Sequence, residues 1–103
     1  MNFNPFELAK QMGNLEAQMK KMKEEMSRIT ATGYSGAGMV EISINGEYQV
    51  LSVNINEVML DKESKETLEV LLLSAFNDAS NKIKAATEEY AKRQASMMGL
   101  MKQ

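Results

Sequence analysis

Seven apolar residues, Leu8, Met12, Leu15, Met19, Met22, Met26 and Ile29, follow one another at intervals of 4, 3, 4, 3, 4 and 3. This a/d heptad seam, sustained for three heptads, commits the N-terminal part of the chain to a long helix. The start of that helix is equally legible. Asn4 suits the cap, Pro5 the first helical position, and Glu7 the positive end of the helix dipole. The pairs Glu16 to Lys20 and Glu24 to Arg28 stand at i,i+4 on the polar side, each worth only about 0.3 to 0.5 kcal/mol. The seam therefore carries the helix.

After Ile29 the period changes. Val40, Ile42 and Ile44 alternate with Glu41, Ser43 and Asn45, the pattern of a half-buried strand. Asn45-Gly46 predicts a type I′ turn and a return strand from Glu47 to about Ile55. Tyr48 and Val50 share one parity and Val53 and Ile55 the other, so a bulge or break is expected near Leu51-Ser52. A third strand over Ile29 to Gly33 would make the sheet viable, because a lone hairpin is marginal in water.

A second helix follows, with Asp61 or Ser64 as cap and Glu63, Glu66 and Glu69 near its start. Leu68, Leu71, Leu72, Ala75, Phe76, Ala79, Ile83, Ala86 and Tyr90 keep an amphipathic period at least to Tyr90. The chain then reads as one α+β domain over 1–103: a helical arm (1–29), a small antiparallel three-stranded sheet (30–60), a long C-terminal helix (61–94) and a weakly ordered tail (95–103). Leu15, Met19, Met22, Met26, Val40, Ile42, Ile44, Leu72 and Phe76 are the expected core or dimer-interface positions.

Helices of roughly 37 and 40 Å must overhang strands of about 17 to 20 Å. Their apolar faces continue along the overhang, which predicts packing of the helices on each other and a second copy of the chain, a homodimer with helices projecting from a sheet body.

Chemistry is limited by composition. Without cysteine or histidine the chain lacks thiolate and imidazole metal ligands, and no metal or cofactor is expected. Histidine-assisted nucleophilic catalysis is impossible, and no carboxylate sits in an apolar pattern that would raise its pKa, so no enzyme and no small-molecule substrate is predicted. No apolar run could span a bilayer and the start lacks a signal-peptide pattern, so the expected compartment is the cytoplasm, away from membrane. The glycines at 33, 36 and 38 invite a phosphate cradle. However, the stretch has no Gly-Lys-Ser/Thr and is followed by a strand rather than a helix, so it reads as a turn with positive φ and a bulge at the sheet entrance. Methionines at 12, 19, 22 and 26 read as packing residues of the seam rather than copper ligands.

A net charge of −2 is unlike the basic excess of most nucleic-acid binders, yet the sign varies along the chain. Residues 1–29 carry five basic and four acidic groups, 30–60 only Glu41, Glu47 and Glu57, and 61–103 seven of each. Basic side chains thus sit on the helices: Lys10, Lys20, Lys21, Lys23 and Arg28 on the first, Lys82, Lys84, Lys92 and Arg93 on the second. In a dimer they would be presented twice, and a duplex could bridge them through phosphate contacts.

The stretch TGYSGAGMVEISINGEYQVLSVNI, followed by LEVLLLSAFNDASNKI and preceded by LEAQMKKMKEEM, resembles the YbaB/EbfC nucleoid-associated protein family over most of the chain. The resemblance implies a tweezer-like homodimer with protruding helices that binds DNA, alters its shape and influences gene expression, nucleoid organisation and DNA protection. By that likeness the DNA-contacting residues are Lys10, Lys20, Lys21, Lys23, Arg28, Lys82 and Lys84. The rival expectation is an interaction module in which the methionine seam holds another protein, for example one of the replication or recombination machinery.

Overall fold

The computed structural model describes residues 4–97 and Gly99. Helix α1 spans Pro5–Arg28, strands β1, β2 and β3 span Thr30–Ser35, Val40–Asn45 and Val50–Ile55, and helix α2 spans Lys65–Met97. Two short 3-10 turns, Glu57–Met59 and Lys62–Ser64, link β3 to α2. This is the α+β order expected, with the sheet running β1-β2-β3 and both pairings antiparallel. The Asn4 carboxamide caps α1, accepting from the Phe6 N–H at 3.0 Å with Pro5 at the first helical position. Asp61 caps the second 3-10 turn rather than α2 itself, taking the Ser64 N–H at 2.8 Å. Helix α2 continues to Met97, into the segment expected to fray; Met98 and residues 100–103 lie outside the described residues.

The core follows from strand parity. Val40, Ile42 and Ile44 point to one face of β2 and are buried against Ala75, Ala79 and Ile83, one face of α2. Half-buried Ile29, Ala31, Leu68, Leu71, Leu72 and Phe76 ring that cluster. Small side chains at 75 and 79 let α2 approach closely, and Gly33 completes the contact. A Cβ at position 33 would overlap the Ala75 carbonyl oxygen and the Ala79 nitrogen and stand 2.8 Å from the Ala79 Cα. Gly33 is therefore a strand residue at a helix crossing, not part of the turn. Gly36 and Gly38 do form the turn, at φ +59 and +87, with Ala37 also left-handed between them.

The β2–β3 hairpin corrects one expectation and meets another. Gly46 does not adopt positive φ; the left-handed residue is Tyr48, at φ 61. A turn bond from the Tyr48 N–H to the Asn45 carbonyl (2.9 Å), with the Asn45 N–H donating to the Gln49 carbonyl (3.1 Å), makes a three-residue loop instead of a type I′ turn. Buried Asn45 organises it, its Oδ1 accepting from the Glu47 and Gln49 N–H groups at 2.9 and 3.0 Å. Glycine is needed at 46 for another reason. Its N–H donates to the carbonyls of Met26 (3.1 Å) and Ile29 (2.9 Å), and a Cβ there would overlap the Met26 oxygen. The hairpin thus closes the C-terminus of α1 and anchors that arm to the sheet. The expected bulge is present: register shifts between Ser43 and Ile44, leaving Leu51 as the extra residue of β3.

The seam of α1 does not enter the core of the single chain. Leu15, Met19 and Met22 are 56%, 62% and 42% exposed, whereas Met26, nearest the hairpin, is half-buried. Near the base of the arm α1 and α2 are joined by the Tyr90 hydroxyl, which donates to the Glu25 carboxylate. Gln18, Lys21, Met22, Glu25 and Gln94 line the cleft above it. The helices overhang the sheet as their lengths require, and the packing of one on the other covers less of them than expected. Among the described residues the i,i+4 ion pairs are Lys65–Glu69, Asp78–Lys82 and Glu89–Arg93, all on α2, and not the two expected on α1.

Candidate nucleic-acid interface

Helix α1 carries its basic groups on a lightly anchored arm. Lys10, Lys20, Lys21, Lys23 and Arg28 are all exposed, and none forms an ion pair among the described residues. At about 100° per residue they do not share one face. Lys10, Lys21 and Arg28, separated by 11 and 7 residues, return to within about 20° of each other and form a stripe roughly 27 Å long. Lys20 lies about 100° to one side of that stripe, and Lys23 is nearly opposite it. The stripe runs down a flank of the helix well away from the apolar seam, so one arm presents two different surfaces.

On α2 the expected basic residues divide. Lys84 is exposed and unpaired among the described residues, and Arg93 pairs with Glu89 at 3.3 Å. Lys82 is committed to the fold. Its ammonium lies 2.9 Å from the Asp78 carboxylate, donates to the Thr32 carbonyl at 3.1 Å and stands 4.9 Å from the centre of the Tyr34 ring. Asp78 in turn accepts the Tyr34 N–H at 2.9 Å. This cluster fastens α2 along the free side of β1. The sequence signal for it was the i,i+4 spacing of Asp78 and Lys82, but their partners on β1 lie more than forty residues away.

The Tyr34 N–H first, and the Lys82 ammonium second, hold the Asp78 carboxyl below the usual carboxylate range, against a smaller opposing effect of desolvation. A carboxylate depressed in the folded state stabilises the fold above its unfolded pKa, and that contribution disappears as pH falls through the folded value. Asp78→Asn should therefore lower the urea midpoint near neutrality and flatten its fall below about pH 4. Circular dichroism of both proteins across acid pH checks this; parallel curves would discard the role given to Asp78.

Among the described residues no group of three or more His, Cys, Asp or Glu side chains is arranged to hold a metal ion, and no helix is long and apolar enough to cross a membrane. The glycine turn faces Leu71 rather than a polar recess, and Gly38 borders open space. What the fold offers instead is surface: a basic stripe on a projecting helix, a second helix with scattered lysines, and a sheet whose strands carry Glu41 alone as a charged residue.

An α+β scaffold that displays charge on helical arms is the class defined by this geometry. The chain belongs to the YbaB/EbfC DNA-binding family, whose profile matches residues 1–103. It is 37% identical over 97 residues to a nucleoid-associated protein of Coxiella burnetii, covering 94% of this chain and 87% of that one. A nucleoid-associated protein of Caldanaerobacter subterraneus is 39% identical over 97 residues, covering 94% and 85%. The fold matches the crystal structure of an uncharacterized protein from Helicobacter pylori with a TM-score of 0.71 at 24% identity, over 90% of this chain and 98% of that one.

Proposed function

We propose that this chain is a cytoplasmic, nucleoid-associated protein that binds duplex DNA as a homodimer through phosphate contacts from its helical arms. In this reading it changes the path of the DNA and thereby influences nucleoid organisation, DNA protection and gene expression. The observation that carries the reading is the α1 arm: five exposed basic side chains without ion-pair partners among the described residues, on a helix anchored chiefly at its base. The family membership, and the names of the Coxiella and Caldanaerobacter relatives, agree with it.

Shape supports the homodimer. The radius of gyration is 20.4 Å, against about 13 Å for a compact chain of this size. The accessible surface of 8283 Å² exceeds by roughly 2,500 Å² what a compact monomer of 11.5 kDa exposes. A standard interface hides only about 800 Å² per partner, so the excess accommodates one and leaves arms free for DNA.

Within the seven basic candidates, Lys10, Lys21 and Arg28 act together as one phosphate-tracking stripe. Lys20, Lys23 and Lys84 are outlying contacts, and Lys82 serves mainly to hold α2 on β1. Titrating the protein with a duplex at several salt concentrations tests the reading. Binding through Z phosphates gives a log–log slope near −0.9Z, expected here at about −5 or steeper. A slope near zero would favour the alternative, in which the exposed methionine seam holds another protein, such as a component of the replication or recombination machinery.

A further inference from the structure

Two attachments hold the base of α1, and they do different things. The first is backbone. The Gly46 N–H donates to the Met26 and Ile29 carbonyls at 3.1 and 2.9 Å, which fixes where the last turn of α1 sits on the hairpin. A rod fixed at one end can still swing. The second attachment lies to one side of that point, where the Tyr90 hydroxyl of α2 donates to the Glu25 carboxylate. Among the described residues it is the one side-chain hydrogen bond between the two helices, and it joins half-buried positions 65 residues apart. The Glu25 carboxylate first, and desolvation second, push the Tyr90 hydroxyl above the usual phenol range, so it keeps its proton and remains the donor.

The length of the arm makes its angle matter. Helix α1 has 24 residues and is about 36 Å long. A swing of about 10° at the base carries the tip roughly 6 Å, close to two base-pair rises of about 3.4 Å. A stripe of Lys10, Lys21 and Arg28 can follow a row of phosphates only if that swing is limited. Charge points the same way. Lys21 precedes Glu25 by one helical turn, at the i,i+4 spacing of an ion pair, yet the two form none among the described residues. The carboxylate is turned to Tyr90 instead, and the middle lysine of the stripe stays unpaired.

We infer that Tyr90 is a positioning residue of the DNA site: through Glu25 it sets the angle of α1 against α2 and keeps that carboxylate away from Lys21. This rests on the DNA-binding reading of the arms and adds to it a residue that carries no charge and meets no phosphate. Free arms would have to be ordered when DNA binds, and that ordering lowers affinity. An arm already clasped at its base avoids most of the loss.

Tyr90→Phe deletes the hydroxyl and keeps the ring. In the full chain it should weaken duplex binding about tenfold at a fixed salt concentration, the lower end of what a hydrogen bond to a charged group is worth, with the circular dichroism of the parent. The conservative Glu25→Gln retains an oxygen that accepts the hydroxyl and should keep the parent's affinity. A general weakening of the fold would not follow the acceptor in this way. The chain has no cysteine, so a dye on Gln11→Cys, exposed toward the tip of α1, reports arm motion without DNA. Its time-resolved anisotropy should gain a larger fast component with Tyr90→Phe and not with Glu25→Gln. Should the phenylalanine variant fail to fold, Glu25→Ala removes the acceptor, leaves the ring and gives the same comparison. Unchanged dye motion on loss of the hydroxyl or its acceptor overturns the clasp, and a looser arm that binds as the parent does overturns its role in placing the DNA contacts. A parent that does not bind duplex overturns the DNA-binding reading itself, and the dye then decides the clasp alone.

Discussion

Gly33→Ala is expected to destabilise the fold by about 3 kcal/mol, and Gly33→Val by more, enough to remove a large part of the roughly 5 to 15 kcal/mol available to a domain of this length. The added carbon meets backbone, the Ala75 oxygen and the Ala79 nitrogen, so no side-chain rotation can relieve it. Either α2 lifts from β1 or the strand bends away, and both separate Val40, Ile42 and Ile44 from Ala75, Ala79 and Ile83. The lock of Asp78 and Lys82 on Tyr34 and Thr32 would open with them. Gly38→Ala is the control. It lies in open space with φ +87, so its cost is backbone conformation alone, about 1 to 2 kcal/mol. Urea unfolding followed by circular dichroism compares them, and a Gly33→Ala midpoint equal to the parent's would show that α2 does not rest on β1 through this residue.

The same glycine marks where the sequence could be read and where it could not. Periodicity is a local property, so the seam of α1, the alternation of β2, the parity change at Leu51 and the amphipathic face of α2 were all visible in short windows. Which residue a position meets across the fold is not local. Gly46 was read as a turn former because Asn-Gly is a strong hairpin signal, and the hairpin is there. Its glycine is required by Met26, twenty residues away, whose carbonyl occupies the space a side chain would need. Lys82 gave the same kind of ambiguity: its charge on a helical arm and the family likeness marked it as a phosphate contact, but partners on β1 engage it first. A heptad seam, likewise, states that an apolar stripe exists without stating that this chain covers it. For Leu15, Met19 and Met22 the single chain does not.

Replacing Lys10, Lys21 and Arg28 together by alanine is expected to flatten the salt dependence of duplex binding more than any other change on the arms. In the proposed homodimer the substitution removes six positive groups. If each neutralises a phosphate, the log–log slope shrinks by about 5, the equivalent of roughly a thousandfold in salt sensitivity between 50 and 200 mM. Lys20→Ala with Lys23→Ala should shrink it less, because those side chains lie about 100° and nearly 180° around α1 from the stripe, and a duplex cannot lie against the stripe and the opposite face of one helix at once. Lys82→Ala should instead lower stability with little change of slope, because its charge already serves Asp78. Filter binding or fluorescence anisotropy over the salt range, with unfolding curves for each variant, separates these effects. A stripe variant that keeps the parent's slope would move the phosphate contacts off this face of α1. Unequal effects would follow from helix geometry: an arm that carries five basic groups on different faces can meet one duplex with only part of them at a time.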